Sequence, residues 1–191
     1  MNEDKSIEYL VGKKAKLDVF VEPFSFKIVS FLDDLSKSLD NKFNNKNFPD
    51  LKALSFFCRK NNILNLKSKH QNKDTTRFGL GLLFHITPSN IPTNFAYSLI
   101  FGLIAGNSNI VKIPLKKFDE IALICKSINH VLSKTKHVKI KDMIRIIRYD
   151  GKKDLLTKNF SAICDARLIW GGDQTIANIK KFDTKPKNID I

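Results

Sequence analysis

Apolar residues follow a helical period in the first part of the chain and an alternating strand-and-helix rhythm after about residue 77. Phe24, Ile28, Phe31, Leu32, Leu35 and Leu39 recur at helical spacing and predict an amphipathic helix over Phe24–Leu39. Asn41 to Asn47 reads as a polar loop. Pro49 suits the first turn of a second helix, whose apolar face carries Leu51, Leu54, Phe57 and Cys58. Upstream, Leu17 to Val21 is a candidate strand stopped by Pro23. Lys67 to Thr76 holds no apolar residue and reads as a charged linker. It divides the chain into an N-terminal helical region, residues 1–76, and a second region, residues 77–191.

After Arg77 the expected strands are Leu80–Ile86, Ile110–Ile113, Met143–Tyr149 and Ala166–Trp170. Helices are expected at Pro92–Ala105, at Asp119–Leu132, around Lys152–Lys158, and from the turn Gly171-Gly172-Asp173 through Lys181. Strands alternating with helices imply right-handed crossovers and a parallel sheet. The expected class is α/β. No repeat and no low-complexity tract interrupts the pattern.

Charge widens the list of partners. The net charge of +14 fits a solvated lysine-rich surface. It also fits attraction to a polyanion: a phosphate-rich cofactor, coenzyme A, nucleic acid or an acidic subunit. The lysines are scattered, without interleaved aromatics or a known binding module, so nucleic acid is not expected. Cys58, Cys125 and Cys164 are odd in number and lack metal-ligand spacing. Each reads as a small buried residue in a reducing compartment, which points to the cytoplasm. The four histidines are dispersed, so no metal is expected. Met1 to Lys5 has no apolar core behind it of the kind a signal peptide needs. The apolar stretch Ile91–Ile104 is too short and too interrupted for a membrane span.

Open α/β sheets bind ligands beyond the carboxyl ends of their strands, so candidate chemistry is sought there. Asn90 follows the first such strand. Ser89 or Asn90 could cap the following helix, with Pro92 in its first turn. Alternatively, the Asn90 amide could stabilise the oxygen that becomes negative when a nucleophile attacks a carbonyl. Lys112 ends an apolar strand, either as a lysine reaching solvent or as a donor to a ribose hydroxyl or phosphate. Gly171 and Gly172 permit a tight turn into a helix start, which attracts anions. The same turn could be ordinary, with Asp173 as its cap. His85 reads as a packed or hydrogen-bonded sheet histidine.

Thr87-Pro88-Ser89-Asn90-Ile91-Pro92, Ala105-Gly106-Asn107 and Val111-Lys112-Ile113-Pro114 resemble the cofactor domain of the aldehyde dehydrogenase superfamily. Ile169-Trp170-Gly171-Gly172-Asp173 and Ser89 narrow the resemblance to the acyl-CoA reductase family, whose best-known member is the fatty-acid reductase of bacterial luminescence. The resemblance covers roughly residues 78–191. It implies a Rossmann-like parallel sheet and a reaction in which a cysteine thiolate takes an acyl group from an acyl-CoA or acyl-protein thioester. NADPH then reduces the acyl-enzyme to the aldehyde. It further implies that Asn90 is the side-chain half of the oxyanion hole. Ile86, Thr87, Pro88 and Ser89 would line the nicotinamide side of the groove, Lys112 and Pro114 would face the adenosine ribose, and Gly171 and Gly172 would lie near the pyrophosphate. Acyl-transferase and acyl-protein synthetase subunits are implied partners, and the full-length enzyme is compatible with an oligomer.

One departure shapes the expectation. No cysteine of the chain matches the family nucleophile, which lies downstream of the Gly-rich turn in a separate domain. The apolar ending Ile189–Ile191 looks like the opening of another strand. The chain is therefore expected to be the N-terminal part of an acyl-CoA reductase, with an incomplete dinucleotide-binding domain, no catalytic domain and no activity in isolation. The alternatives are a non-catalytic nucleotide-binding or subunit-binding module and, on charge alone, a basic nucleic-acid binder.

Overall fold

A computed structural model describes residues 6–13, 17, 19–42, 48–70 and 75–191. Its centre is a six-stranded sheet. The strands are β1 (Glu8–Val11), β2 (Leu82–Ile86), β3 (Ser108–Ile113), β4 (Ile144–Arg148), β5 (Ala166–Ile169) and β6 (Ile189–Asp190), in the order β1-β4-β3-β2-β5-β6. Only β1 is antiparallel to its neighbour. Strands β2 and β4 are buried at every position, as expected of parallel strands covered on both faces.

The helices are α1 (Phe26–Lys42), α2 (Pro49–Cys58), α3 (Lys60–His70), α4 (Asn94–Ile104), α5 (Asp119–Leu132), α6 (Val138–Lys141), α7 (Asp154–Ile163) and α8 (Asp173–Lys180). Strand alternation divides the interior in two. Val111, Ile113, Ile144 and Ile146 face the larger core, which they share with α1 through α6. Phe84, Ile86, Ile110 and Ile147 face the smaller one, with Tyr149, Leu156 and Cys164. Each fully buried aliphatic side chain contributes roughly 1.5–3 kcal/mol. The N-terminal helices therefore draw their stability from the same apolar mass that covers the sheet.

The α/β class and parallel sheet agree with the sequence reading, and Asp119–Leu132 is helical over the expected residues. Four local readings are corrected. Among the described residues of Leu17 to Val21 no strand forms. Leu17 is buried in the smaller core, and Val19 and Val21 meet the end of α4 and the start of β3, with Val21 N–H donating to Gly106 O at 3.2 Å and Ser108 Oγ to Val19 O at 2.6 Å. The edge strand is Glu8–Val11 instead. The linker expected from Lys67 is helical through His70; α3 buries only Ile63 fully, so it left little periodic signal. Residues 71–74 of that linker, and 43–47 of the expected polar loop, lie outside the described residues. Finally, α7 runs on to Ile163, and α4 starts at Asn94 rather than Pro92.

The end of α4 fixes the approach to β3. Gly106 has φ +87°, its N–H bonds Leu103 O at 2.8 Å, and Asn107 N–H bonds Gly102 O at 3.0 Å. This is a Schellman stop, which requires the left-handed conformation glycine adopts without strain. At the far edge, the expected opening strand at Ile189 forms and pairs in parallel with β5. Arg167 locks it through two bonds to Asp190, at 2.6 and 2.8 Å.

Candidate functional site at the carboxyl edge of the sheet

Register brings most of the candidate residues together. Ile86 lies opposite Lys112 on β3 and Ile169 on β5. Thr87 continues that ladder: its N–H and its Oγ1 both donate to Lys112 O, at 3.2 and 2.9 Å. Trp170 N–H donates to Ile86 O at 2.9 Å, which sets Gly171 and Gly172 beside the same strand end. Pro114 joins through its carbonyl, which accepts from Arg148 Nε at 3.1 Å. Arg148 also pairs with Glu8 at 2.8 Å, so edge strand β1 is tied to this end of the sheet. Ile86, Thr87, Lys112, Pro114, Gly171 and Gly172 thus occupy one continuous edge, and Pro88, Ser89 and Asn90 form the loop that leaves it.

Asn90 is exposed and does not cap α4. The cap position is Thr93, without a side-chain cap bond. Among the described residues the exposed Asn90 amide has no hydrogen-bond partner, which leaves it free to donate. One turn further, Asn94 keeps a buried Oδ1 without a partner.

Lys112 does not reach out freely. It lies on the Ile110 face of the sheet, with Nζ 5.6 Å from the centre of the Tyr149 ring. Gly151 lies close by: a Cβ there would stand 3.6 Å from Nζ. Burial lowers the affinity of this amine for its proton, and Asp150 opposes that shift. Among the described residues no carboxylate forms an ion pair with it. A half-buried cation that no carboxylate contacts directly is a place where an anion or a hydroxyl acceptor gains most.

The two glycines of the turn differ. A Cβ on Gly171 would meet Thr175 at 2.9 Å, so that glycine serves the turn. A Cβ on Gly172 would meet nothing within 4 Å. Gly172 caps α8 with no side-chain bond, and Asp173 occupies the first turn. Open space over a glycine, next to free helix N–H groups, fits close approach by a phosphate backbone. The Asp173 carboxylate is the one feature there that repels it.

Sequence reasoning missed a buried polar chain behind this edge. His85 lies in the sheet, as expected, and is hydrogen-bonded at both nitrogens: Nδ1 to Ser98 Oγ at 2.7 Å and Nε2 to Asn109 Oδ1 at 3.0 Å. Asn109 Nδ2 donates to Asn107 O, and Trp170 Nε1 donates to Ser98 Oγ at 3.0 Å. Burial holds His85 at a pKa of about 4, so it is neutral near pH 7. The sequence signal would have been polar residues at buried positions of apolar elements, Ser98 and Asn109 among them.

The cysteines are excluded as nucleophiles. All three are buried. Burial raises the Cys58 and Cys164 thiols and pushes Cys125 up to about 12, far from the thiolate chemistry requires. Cys164 also precedes β5, a strand length away from Asn90. A cleft of about 510 Å³ opens at the opposite, amino edge, bounded by Phe20–Glu22, Phe78–Gly81 and Asp165. Among the described residues no cluster could hold a metal ion, and no helix is long and apolar enough to cross a membrane.

Comparison with known proteins adds a family and a fold. The profile of the acyl-CoA reductase (LuxC) family matches residues 23–191. Among solved structures, γ-glutamyl phosphate reductase from Thermotoga maritima superposes with a TM-score of 0.65 at 13% identity, over 85% of this chain and 47% of that one. A lactaldehyde dehydrogenase gives 0.63 at 12% identity, over 86% and 38%. An NAD-dependent benzaldehyde dehydrogenase from Corynebacterium glutamicum gives 0.60 at 8% identity, over 95% and 53%. Identities this low speak to the fold alone, and the chain spans about half or less of these proteins. A sequence comparison with curated proteins returns no match.

Proposed function

Because the chain belongs to the acyl-CoA reductase (LuxC) family, we propose that it supplies the cofactor-binding half of an NADPH-dependent reduction of a fatty-acyl thioester to the aldehyde. The observation that carries this reading is Lys112: a half-buried amine without a carboxylate partner among the described residues, on the same edge as Asn90 and the open Gly172 turn.

The residues of that edge fit a dinucleotide. Lys112 holds a ribose hydroxyl, Gly172 admits the pyrophosphate, and the loop Thr87–Ser89 with Ile86 lines the nicotinamide side. Lys116 and Lys117 lie close in sequence and suit a 2′-phosphate. When bound, the cofactor supplies the hydride. The Asn90 amide donates to the thioester oxygen as negative charge develops on it, a contact worth roughly 3 kcal/mol in comparable sites. In the reaction a cysteine thiolate attacks the thioester carbon, its acyl–sulfur bond forms, and the coenzyme A thiolate leaves. A hydride supplied to that acyl carbon would have to be followed by breaking of the carbon–sulfur bond, which would free the aldehyde and return the cysteine thiolate. That cysteine is none of the three here, and we assign it to sequence outside these 191 residues.

Fluorescence titration of the purified chain with NADPH and NADH tests the reading. Saturable binding is expected, weakened about tenfold by Lys112→Met, with no thioester-dependent oxidation of NADPH. Binding of neither dinucleotide, or binding untouched by Lys112→Met, would overturn it.

A further inference from the structure

The chain has one tryptophan, and its placement is specified more tightly than packing requires. Trp170 is 43% exposed, yet its indole N–H is pinned to Ser98 Oγ, which is buried inside α4. The protons along the chain behind it follow from one end. Asn109 Nδ2 donates to Asn107 O, so Oδ1 is the acceptor facing His85. His85 Nε2 must then carry the ring proton, and Nδ1 accepts. The single hydroxyl proton of Ser98 goes to Nδ1, which leaves its lone pairs for the indole. Each group has one role, and reversing any of them breaks its neighbour's bond.

The backbone is shaped to admit this chain. A Cβ on Gly102 would stand 2.0 Å from Asn109 Oδ1 and 3.2 Å from the His85 ring. Helix α4 therefore comes close to the sheet only because residue 102 is glycine. Asn107 extends the chain to the other edge by accepting from Gly81 N–H at 2.9 Å. A phenylalanine over an apolar pair would cover the same surface without burying polar groups. A fully satisfied polar chain instead fixes one orientation.

We propose that Ser98 and His85 are positioning residues, which hold the Trp170 indole against α4 and thereby set the Trp170–Gly172 turn for the dinucleotide. This rests on the cofactor reading above. Both residues are buried behind the turn. The turn is short, its residues 171 and 172 are glycines, and its first residue is the one anchored from inside. Without the anchor, the turn samples many conformations and binding must select one.

The lone indole N–H gives a single reporter. In ¹⁵N-labelled protein its hydrogen exchange should be slow in the wild type, about tenfold or more faster in Ser98→Ala, and slow again in Ser98→Thr. The dissociation constant for NADPH, read from the dinucleotide's own emission, should rise about three- to tenfold in both Ser98→Ala and Trp170→Phe. Unchanged exchange in Ser98→Ala overturns the anchor. Faster exchange with unchanged affinity overturns the positioning role and leaves the cofactor reading standing. A wild type that binds neither NADPH nor NADH overturns both. If Ser98→Ala does not fold, Trp170→Phe decides alone, because it alters a half-exposed side chain; wild-type affinity in that variant overturns the proposal.

Discussion

The two edges of the parallel sheet are built on opposite rules. At the amino edge, polar groups satisfy one another. Asp165 accepts from Leu82 N–H at 2.7 Å and pairs with Lys185 at 2.8 Å. Asn107 accepts from Gly81 N–H, and Ser108 reaches Val19 O. Phe20, Phe78 and Leu80 are exposed apolar side chains there. At the carboxyl edge Thr87 and Arg148 are bonded too, but the Asn90 amide and the Lys112 amine have no direct hydrogen-bond or ion-pair partner among the described residues, and the space above Gly172 is open. A protein tolerates unmatched donors where a ligand will match them, and closes its hydrogen bonds elsewhere.

The contrast should break most violently at the amino edge. Gly106 has φ +87°, and a Cβ there would stand 2.2 Å from Val21 O, a backbone atom with no rotamer to yield. Gly106→Ala adds left-handed strain to that clash. It should cost at least about 3 kcal/mol of unfolding free energy, measured by urea denaturation. A loss below about 1 kcal/mol would show that the segment from Val19 to Phe24 does not grip the end of α4 as described.

The chain of side chains between the edges should respond to acid. His85 is held near pKa 4, against 6.5 for the free side chain, mainly by burial, while its bond to Asn109 acts the other way. Above pH 6.5 both folded and unfolded chains leave it neutral, and its contribution to stability is complete. As pH falls, the unfolded chain takes up a proton that the folded chain refuses, until the folded form protonates near pH 4. About 1.4 kcal/mol per pH unit is lost across that window, roughly 3 kcal/mol in all. The lowered carboxylates, Asp33, Asp34 and Asp165, add losses of the same sign only around and below their ordinary value of 3.8. Urea titrations at pH 7, 6, 5 and 4.5 should therefore show a slope in the wild type that flattens in His85→Gln. Parallel slopes in the two proteins would mean that His85 is not buried in its neutral form.

How much of each edge the sequence disclosed follows from the kind of signal involved. Apolar runs bounded by glycine and proline announced β2 through β5, and Ala105-Gly106-Asn107 announced the stop of α4, because both are local in the chain. Lys112 and the Gly171–Gly172 turn were visible as exceptions in such runs. The pairing of Asp165 with Leu82, 83 positions apart, left no local trace. Nor did the Ser98–His85–Asn109 chain, since each member alone reads as a minor polar interruption. Strand β1 was hidden for a different reason: Glu8-Tyr9-Leu10-Val11 pairs antiparallel at the sheet edge and lacks the long apolar run of the central strands. Asn90 as a helix cap failed because the chain takes two more residues to turn before α4 begins, which moved the cap to Thr93.

The gentlest change separates the edges most cleanly. Gly172→Ala adds one methyl where a Cβ meets nothing within 4 Å, and the residue has φ −75°, which alanine adopts without strain. Folding should register it only mildly: alanine caps a helix less well than glycine but has less chain freedom to lose, so the net change in stability should stay within about 1 kcal/mol. A dinucleotide should register it sharply. If the pyrophosphate lies against that turn, the methyl occupies its place and the NADPH dissociation constant should rise about tenfold, equivalent to about 1.4 kcal/mol. Gly171→Ala is the internal control, because its Cβ runs into Thr175 and must disturb the turn before any ligand arrives. That variant should lose stability and affinity together, whereas Gly172→Ala should lose mainly affinity. Equal affinities for the wild type and Gly172→Ala would move the pyrophosphate away from this turn. The openness above Gly172 would then be ordinary surface, and the case for the carboxyl edge would rest on Lys112 and Asn90.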